Sequence, residues 1–274
     1  MTQVQKIIKC LALALAIFLV VSIFSVILTG IYSLTGILGL NKEKNTNQKL
    51  QVVDCSNIKS NITKLKLDLD YTNLIIKTSS DFKLETTNSN IKCKVRGNKI
   101  KIIDKKNLFY QKTNTEKVIV TLPKELVFSE MEIDTGTGSV NIDKIVTDKL
   151  EMDLGTGKTT IKELVTNEAE IDTGAGEFTI SSGTINNLDF DIGVGNVYIT
   201  ANITGNSEID SGVGNLELNI LNKKENYRLR LKKGLGTIKV DNKEIKDDDV
   251  IGTGKNTLTI DGGIASIKIN FKGE

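Results

Sequence analysis

The chain has 274 residues, of which 26% are charged and 39% hydrophobic, so its composition is that of a folded protein. It contains no histidine, although histidine is the usual general base near neutral pH and the commonest metal ligand. Ser-His-Asp and Cys-His catalysis and most zinc sites are therefore excluded. We expect a protein that is not an enzyme and that needs no cofactor.

The formal net charge of +2 conceals an uneven distribution along the chain. Residues 41–129 contain 18 Lys and Arg against 9 Asp and Glu, whereas residues 130–222 contain 4 against 17. A basic segment is thus followed by an acidic one, and the total charge does not define a partner. No nucleic-acid partner is expected.

The N-terminal segment predicts a membrane anchor. Residues 10–40 form a run of 31 residues without any charge, and about 20 apolar residues suffice to cross a bilayer. A cleaved signal peptide is the alternative, but its apolar region would be only about 7–15 residues long. Lys6 and Lys9 favour a cytoplasmic tail at residues 1–9. We therefore expect a single-pass protein of the cell membrane with an extracytoplasmic C-terminal domain.

Three cysteines occur, at Cys10, Cys55 and Cys93. Unpaired thiols are the favoured interpretation, because a framework of disulfides would show more cysteines. A Cys55–Cys93 disulfide remains the alternative, since spacing alone cannot establish it.

Short alternating segments follow a polar linker at residues 41–60. KLKLDLD, NIKCKV and EKVIVTLP have the period-two alternation that is typical of β-strands. Residues 61–129 are therefore predicted to be an N-terminal β-strand region.

From residue 130 the chain repeats itself. The pattern D-x-G-x-G recurs every nineteen residues, at Asp134, Asp153, Asp172, Asp191 and Asp210. Two degenerate copies follow, KKGLGTIKV after Leu231 and IGTGKNTLTI from Ile251. Repeats of about this length are typical of stacked architectures, so residues 130–274 are assigned to a repeat domain.

The period predicts an all-β fold, a parallel β-solenoid similar to a β-helix with ~19-residue coils, preceded by one N-terminal transmembrane helix. Nineteen extended residues span at most about 63 Å, enough for one circuit of short strands, and successive coils would lie about 4.8 Å apart. Alternation predicts that Leu188, Phe190, Ile192 and Val194 point inward. The alternation then shifts, which predicts a corner at G-x-G.

Two motifs suggest catalysis, but the repeat explains them better. GTGKTT resembles the end of a phosphate-binding loop, yet Met152 occupies the position where that loop needs its first glycine. The Asp-Thr-Gly tripeptides at Asp134 and Asp172 resemble those of aspartic proteases, which share one proton between two carboxylates. Here they belong to a series that also reads DLG, DIG and DSG. An aspartic hydrolase remains a remote alternative.

A second acid lies two positions before each repeat aspartate, and equal parity places both columns on one outer face. This acidic ladder consists of Glu132, Asp134, Glu151, Asp153, Glu170, Asp172, Asp189, Asp191, Glu208 and Asp210. Two charges about 5 Å apart in water repel by about 0.8 kcal/mol, so the ladder needs compensation. Turn hydrogen bonds, salt, bound Ca²⁺ or Mg²⁺, or a cationic peptide could supply it, as could the lysines of the repeat, Lys144, Lys149, Lys158 and Lys162. The structural alternative is that the outer face of a solenoid must be polar, and that these acids serve only this purpose.

The chain resembles the bacterial putative-adhesin domains built of β-strand repeats, which are common in membrane-anchored envelope proteins of Gram-positive bacteria. The resemblance covers residues 61–270 and rests on LDLDYTNLIIKTSSDFKLET, VIVTLPKEL, the ladder from EIDTGTGSVNI to EIDSGVGNLEL, and GTGKNTLTIDGGIASIKI. It implies a solenoid without established catalytic residues. Some relatives are associated with responses to envelope stress and antimicrobial peptides.

These features predict a membrane-anchored extracytoplasmic binding or scaffolding module, used in envelope interaction or stress sensing. Its expected partners, besides the membrane, are another envelope protein, a polymer or a cationic peptide. A cation-dependent structural spacer or adhesin is the alternative function, and a homo-oligomer stays open because uncapped terminal coils can stack end to end.

Overall fold

A computed structural model of the protein describes residues 49–55, 58, 62–104, 116–246 and 248–273. These residues form an all-β unit of fifteen strands, with one three-residue 3-10 helix at Lys224–Asn226. The predicted tail, anchor and most of the linker lie outside the described residues. Within the described ranges, no helix is long and apolar enough to cross a bilayer.

All fifteen strands belong to one sheet. In chain order they are β1 (Gln51–Val52), β2 (Lys64–Ser79), β3 (Lys83–Thr86), β4 (Ile91–Arg96), β5 (Lys99–Asp104), β6 (Glu116–Pro123), β7 (Phe128–Ile180), β8 (Gly183–Asn186), β9 (Leu188–Thr204), β10 (Asn206–Ile220), β11 (Tyr227–Lys232), β12 (Thr237–Val240), β13 (Lys243–Glu244), β14 (Asp249–Ile251) and β15 (Asn256–Phe271). The predicted all-β class is confirmed.

Parallel pairing follows the sequence repeat. Asp172 of β7 lies opposite Asp191 of β9, and Asp191 lies opposite Asp210 of β10, so equivalent residues nineteen apart are neighbours. Each coil buries alternate residues, as Met131, Ile133 and Ile142 show in the first one. The coils therefore stack in register on a continuous apolar core, which makes the repeat solenoid-like.

Chain order and strand order differ at the C-terminal end. The last strand, β15, lies between β10 and β11 and pairs with both in parallel. In this register Asp261 lies opposite Asp210 and Ile264 opposite Val213. The corner of this coil is therefore DGGIA, residues 261–265, and the sequence-based assignment of the copy to IGTGKNTLTI was wrong. That segment resembles a copy of the repeat because it contains a G-x-G of its own.

The N-terminal end has a similar inversion. Strand β2 pairs in parallel with β7 on one side and with β5 and β6 on the other. Beyond these parallel pairs the outermost strands are antiparallel: β4 on β5, β3 on β6, and β1 on β3. At the other end β14 and β13 are antiparallel to β11 and β12. Short antiparallel strands thus end the parallel stack, as expected of protected sheet edges.

A disulfide joins Cys55 to Cys93, with the two Cα atoms 5.2 Å apart. The favoured expectation of unpaired thiols was wrong for these two residues, because Cys55 lies three residues after the end of β1 and the end strands bring it beside Cys93 of β4. Sequence spacing could not reveal this contact, since 38 residues separate the two cysteines. Cys10 lies outside the described residues.

Removing this disulfide should destabilise the domain appreciably. A closed loop of this length is worth about 2–4 kcal/mol in typical proteins, so Cys55→Ala with Cys93→Ala is expected to lower the free energy of unfolding by about that amount. Urea titrations would measure the difference, with Cys10→Ala as the matched control. A loss below about 1 kcal/mol would contradict the expectation.

Candidate binding face

The structure brings the acidic ladder together on one outward-facing side of the sheet. Asp172, Asp191 and Asp210 are consecutive neighbours, and so are Glu170, Asp189 and Glu208 in the second column. Nine of the ten predicted acids are exposed, and only Glu132 is half-buried. Parity arguments from sequence thus placed these side chains correctly.

Two more aspartates extend the aspartate column, and sequence reasoning missed both. Asp68 lies opposite Asp134, and Asp261 lies opposite Asp210. The nineteen-residue period could not find them, because inverted strand order places them 66 and 51 residues from their partners. The available signal was local: Asp261 begins DGGIA, a near-copy of the repeat motif.

Lysines neutralise the ladder at both ends. Near the N-terminal end Glu132 forms ion pairs with Lys66 and, at 3.2 Å, with Lys99. At the other end Lys232 lies 3.3 Å from Asp261. Within the described residues, Asp172 and Asp210 form no ion pair. At the centre Lys149 lies 4.0 Å from Glu170, so the aspartate column there keeps a negative charge that the described residues neutralise only in part.

This excess charge changes the pKa of two central carboxyls. Partial burial raises the pKa of Asp172 above its ordinary value of 3.8, and the charges of Asp191 and Asp153 raise it further. Partial burial and the charges of Glu208 and Asp191 likewise raise the pKa of Asp210. Both carboxylates are thus less stable when ionised than they would be in an unfolded chain.

Neutralising these two aspartates is expected to stabilise the domain at pH 7. A pKa raised in the folded state contributes stability that is present below the unfolded value of 3.8 and is lost as pH rises through the folded value. Asp172→Asn with Asp210→Asn should therefore raise the urea midpoint at pH 7 but not below pH 3.8.

Asp241→Asn serves as the control of opposite sign. Burial would raise the pKa of Asp241, but a hydrogen bond from the Phe271 N–H and the ion pair with Lys224 outweigh burial and lower it. Its stabilising contribution is present above 3.8 and is lost as pH falls. This variant should lower the urea midpoint at pH 7. If the two variants shifted it in the same direction, the charge argument would fail.

The predicted corner at G-x-G is confirmed, and its cause is close approach between coils. A Cβ atom on Gly193 would lie 2.2 Å from the carbonyl oxygen of Gly174, and one on Gly195 would lie 1.8 Å from that of Gly176. Gly195 also has a φ of +152°, which L-residues rarely adopt. Both glycines of the motif are therefore required by the stacking itself.

The residue between the two glycines points outward, so the prediction that Val194 points inward was wrong. The bend begins at the first glycine and turns Val194 to the surface, where 44% of it is exposed. Val213 and Ile264 occupy the same position on the next two coils, with 39% and 57% exposed. Leu235, whose N–H donates to the Gly263 carbonyl, continues the series at 84% exposed. We call Val194, Val213, Ile264 and Leu235 the corner ridge.

A shallow groove runs beside the corner ridge. Its lining includes Asp172, Asp191, Asp210 and Asp261 together with corner backbone such as Gly212. Apolar side chains thus border a row of carboxylates over several consecutive coils. We call the acidic ladder with Asp261, the groove and the corner ridge the binding face.

The binding face does not have the geometry of the catalytic motifs that the sequence suggested. Residues on both sides of GTGKTT are β-strand rather than helix, and Lys158 forms an ion pair with Glu177 of the next coil at 2.8 Å. One coil lies between those of Asp134 and Asp172, so strand spacing places the two aspartates about 9.6 Å apart. That is too far for their carboxylates to share one proton. In the part of the chain that the structure describes, no group of three or more Cys, Asp or Glu side chains is arranged to hold a metal ion.

The described residues thus form an all-β repeat domain with glycine corners and an outward-facing charged ladder, and comparison with known families identifies the family to which it belongs. The Toastrack DUF4097 family matches residues 60–263, so the chain belongs to that family. This confirms the resemblance to bacterial adhesin-like repeat domains. No curated protein matches the sequence.

Several crystal structures are similar over most of their length. A putative adhesin from Bacteroides fragilis has 16% identity and a TM-score of 0.43, covering 81% of this chain and 97% of that one. A putative cell adhesion protein from Clostridium sporogenes has 16% identity and a TM-score of 0.35, covering 82% and 98%. A putative lipid binding protein from Parabacteroides distasonis has 17% identity and a TM-score of 0.38, covering 83% and 98%.

Proposed function

We propose that this protein is a membrane-anchored extracytoplasmic binding or scaffolding module. Its binding face would hold a cationic, partly apolar segment of another envelope protein. One observation carries the proposal: the same two surface features, a carboxylate pair and a corner residue, recur on consecutive coils in register.

The dimensions of the binding face suit an extended ligand. From the coil of Val194 to that of Leu235 the corner ridge crosses three coil spacings, about 14 Å in all. An extended peptide of about four residues covers that length. Alternate basic side chains of such a peptide would reach the carboxylates, while apolar side chains between them would contact the ridge.

Membrane anchoring is the second part of the proposal. The uncharged run at residues 10–40 is long enough for one span, and Lys6 and Lys9 favour a cytoplasmic N-terminus. The domain that follows this run would then be extracytoplasmic, where a ligand of the cell envelope can reach the binding face.

Binding explains the binding face better than catalysis or an ordered cation site. The carboxylates follow one another along the groove, one column position per coil, and do not converge on a single point. A cation-dependent spacer would lose melting temperature in chelator, whereas we expect the melting temperature to be the same in calcium, magnesium and chelator.

Site-specific photocrosslinking in intact cells tests the proposal. A photoreactive amino acid at Val213 should give a discrete adduct, and Asp172→Asn with Asp191→Asn and Asp210→Asn should remove it. The same amino acid at Thr184, an exposed position on β8, is the control and should give none. Absence of an adduct at Val213, or equal adducts at both positions, would contradict the proposal.

A further inference from the structure

Basic side chains collect on three strands at the N-terminal end of the sheet. Strands β4, β5 and β2 are adjacent there, and their outward positions carry seven cations. This basic patch consists of Lys64, Lys66, Lys92, Lys94, Arg96, Lys99 and Lys101. It adjoins the N-terminal end of the acidic ladder, where Lys66 and Lys99 pair with Glu132, and lies apart from the acidic central coils of the binding face.

The register of these strands places like charges directly opposite one another. Lys94 faces Lys101 and Arg96 faces Lys99 across β4 and β5. Lys99 in turn faces Lys64 across β5 and β2. Like charges in directly opposed positions destabilise a sheet. The folded domain therefore contains electrostatic repulsion between these cations, and a bound external anion would reduce it.

Internal acids neutralise only the inner part of the basic patch. Lys99 lies 3.2 Å from Glu132, and Lys101 lies 3.8 Å from Asp68. On the edge strand β4, the exposed side chains of Lys92, Lys94 and Arg96 form no ion pair with any described residue. The outer row of cations is thus available to a ligand.

The outer row borders a shallow pocket. Lys94, Arg96, Lys99 and Lys101 line it together with Ile103. Several ammonium groups and one guanidinium around an open depression match the charge and the hydrogen-bond acceptors of a phosphate group. The chemistry of this site is therefore that of phosphate recognition.

We propose that the basic patch binds the phosphate-bearing headgroups of anionic phospholipids and so fixes the domain against the membrane surface. Cys55, bonded to Cys93 in β4, lies fifteen residues after Leu40, the end of the apolar run. Fifteen extended residues reach at most about 50 Å, and a compact linker reaches much less. This inference rests on the proposed membrane anchoring, because the linker then holds the patch near the bilayer.

Lysine reactivity in lipid nanodiscs tests the inference with the full chain. Discs of phosphatidylcholine alone are compared with discs that also contain phosphatidylglycerol, and an amine-reactive reagent reports the accessibility of each lysine. We expect Lys92, Lys94 and Lys101 to react about fivefold more slowly in the anionic discs. High salt should reverse this protection, because it screens exposed charges.

Variants and a distant control make the readout specific. Lys94→Gln with Arg96→Gln should abolish the protection of Lys92 and Lys101 while leaving the domain folded, since it removes opposed like charges. Lys239→Gln with Lys243→Gln, at the opposite end of the sheet, is the matched control and should preserve the protection.

The possible results separate the two proposals. Equal reactivity in both kinds of disc would overturn the inference alone, and a chain that associates with neither kind would overturn the membrane anchoring as well. Inorganic phosphate added to phosphatidylcholine discs is the third condition. If it protected the lysines while the anionic discs did not, the patch would be a site for free phosphate and the lipid assignment would be overturned.

Discussion

Replacing Gly195 by valine is expected to lower the free energy of unfolding by more than about 4 kcal/mol. The new Cβ would lie 1.8 Å from the Gly176 carbonyl oxygen, which is backbone of the preceding coil and cannot turn away. Relief would require the two coils to separate, and their shared parallel hydrogen bonds would then break. Urea titration followed by circular dichroism would measure the loss.

Gly97→Ala is the control that separates close approach from backbone conformation. Gly97 has a φ of +60°, but a Cβ there would have no atom within 4 Å. The left-handed conformation alone costs an alanine about 1–2 kcal/mol. If Gly195→Val cost no more than Gly97→Ala, the corner would not be set by contact between coils.

Deleting residues 256–274 is expected to abolish the cooperative unfolding transition altogether. Strand β15 lies inside the stack, and its Leu258, Ile260, Ile267 and Ile269 are at most 1% exposed. Four fully buried side chains of this kind contribute roughly 6–12 kcal/mol, which approaches the whole stability of a typical domain. The deletion would also leave β10 and β11 without their common partner.

A shorter deletion provides the control. Removing residues 272–274 keeps β15 whole and takes away two backbone hydrogen bonds, from Lys272 to Ile220 and from Gly273 to Asn222. It should cost at most about 3 kcal/mol. A cooperative melt in the longer deletion would contradict the position of β15 inside the stack, because a terminal strand could be lost without unfolding the rest.

The central coils could be predicted from the sequence because their geometry repeats. Constant spacing of Asp134, Asp153 and Asp172 requires equivalent residues to be neighbours in a parallel stack, and alternation around each aspartate fixes which side chains face outward. The need for glycine at the corner also follows, since only a bend can shift a period-two alternation.

The ends of the sheet could not be predicted, because their neighbours are distant in sequence. Neither the insertion of β15 between β10 and β11 nor the approach of Cys55 to Cys93 follows from a local pattern. The inward prediction for Val194 failed for a different reason. It extended the period-two alternation of the strand past Gly193, where the bend begins. The corner ridge was missed for that reason.

Disulfide trapping between corner positions tests most directly that the coils stack in the described order. Neighbouring coils are about 4.8 Å apart and coils two apart are about 9.6 Å apart, whereas a disulfide needs Cα atoms within about 7 Å. In a Cys10→Ser background, Val194→Cys with Val213→Cys and Val213→Cys with Ile264→Cys should both form a cross-link under mild oxidation. Val194→Cys with Ile264→Cys should not. Failure of the Val213–Ile264 pair, or equal cross-linking of the Val194–Ile264 pair, would contradict the stacked corner ridge and the binding face built on it.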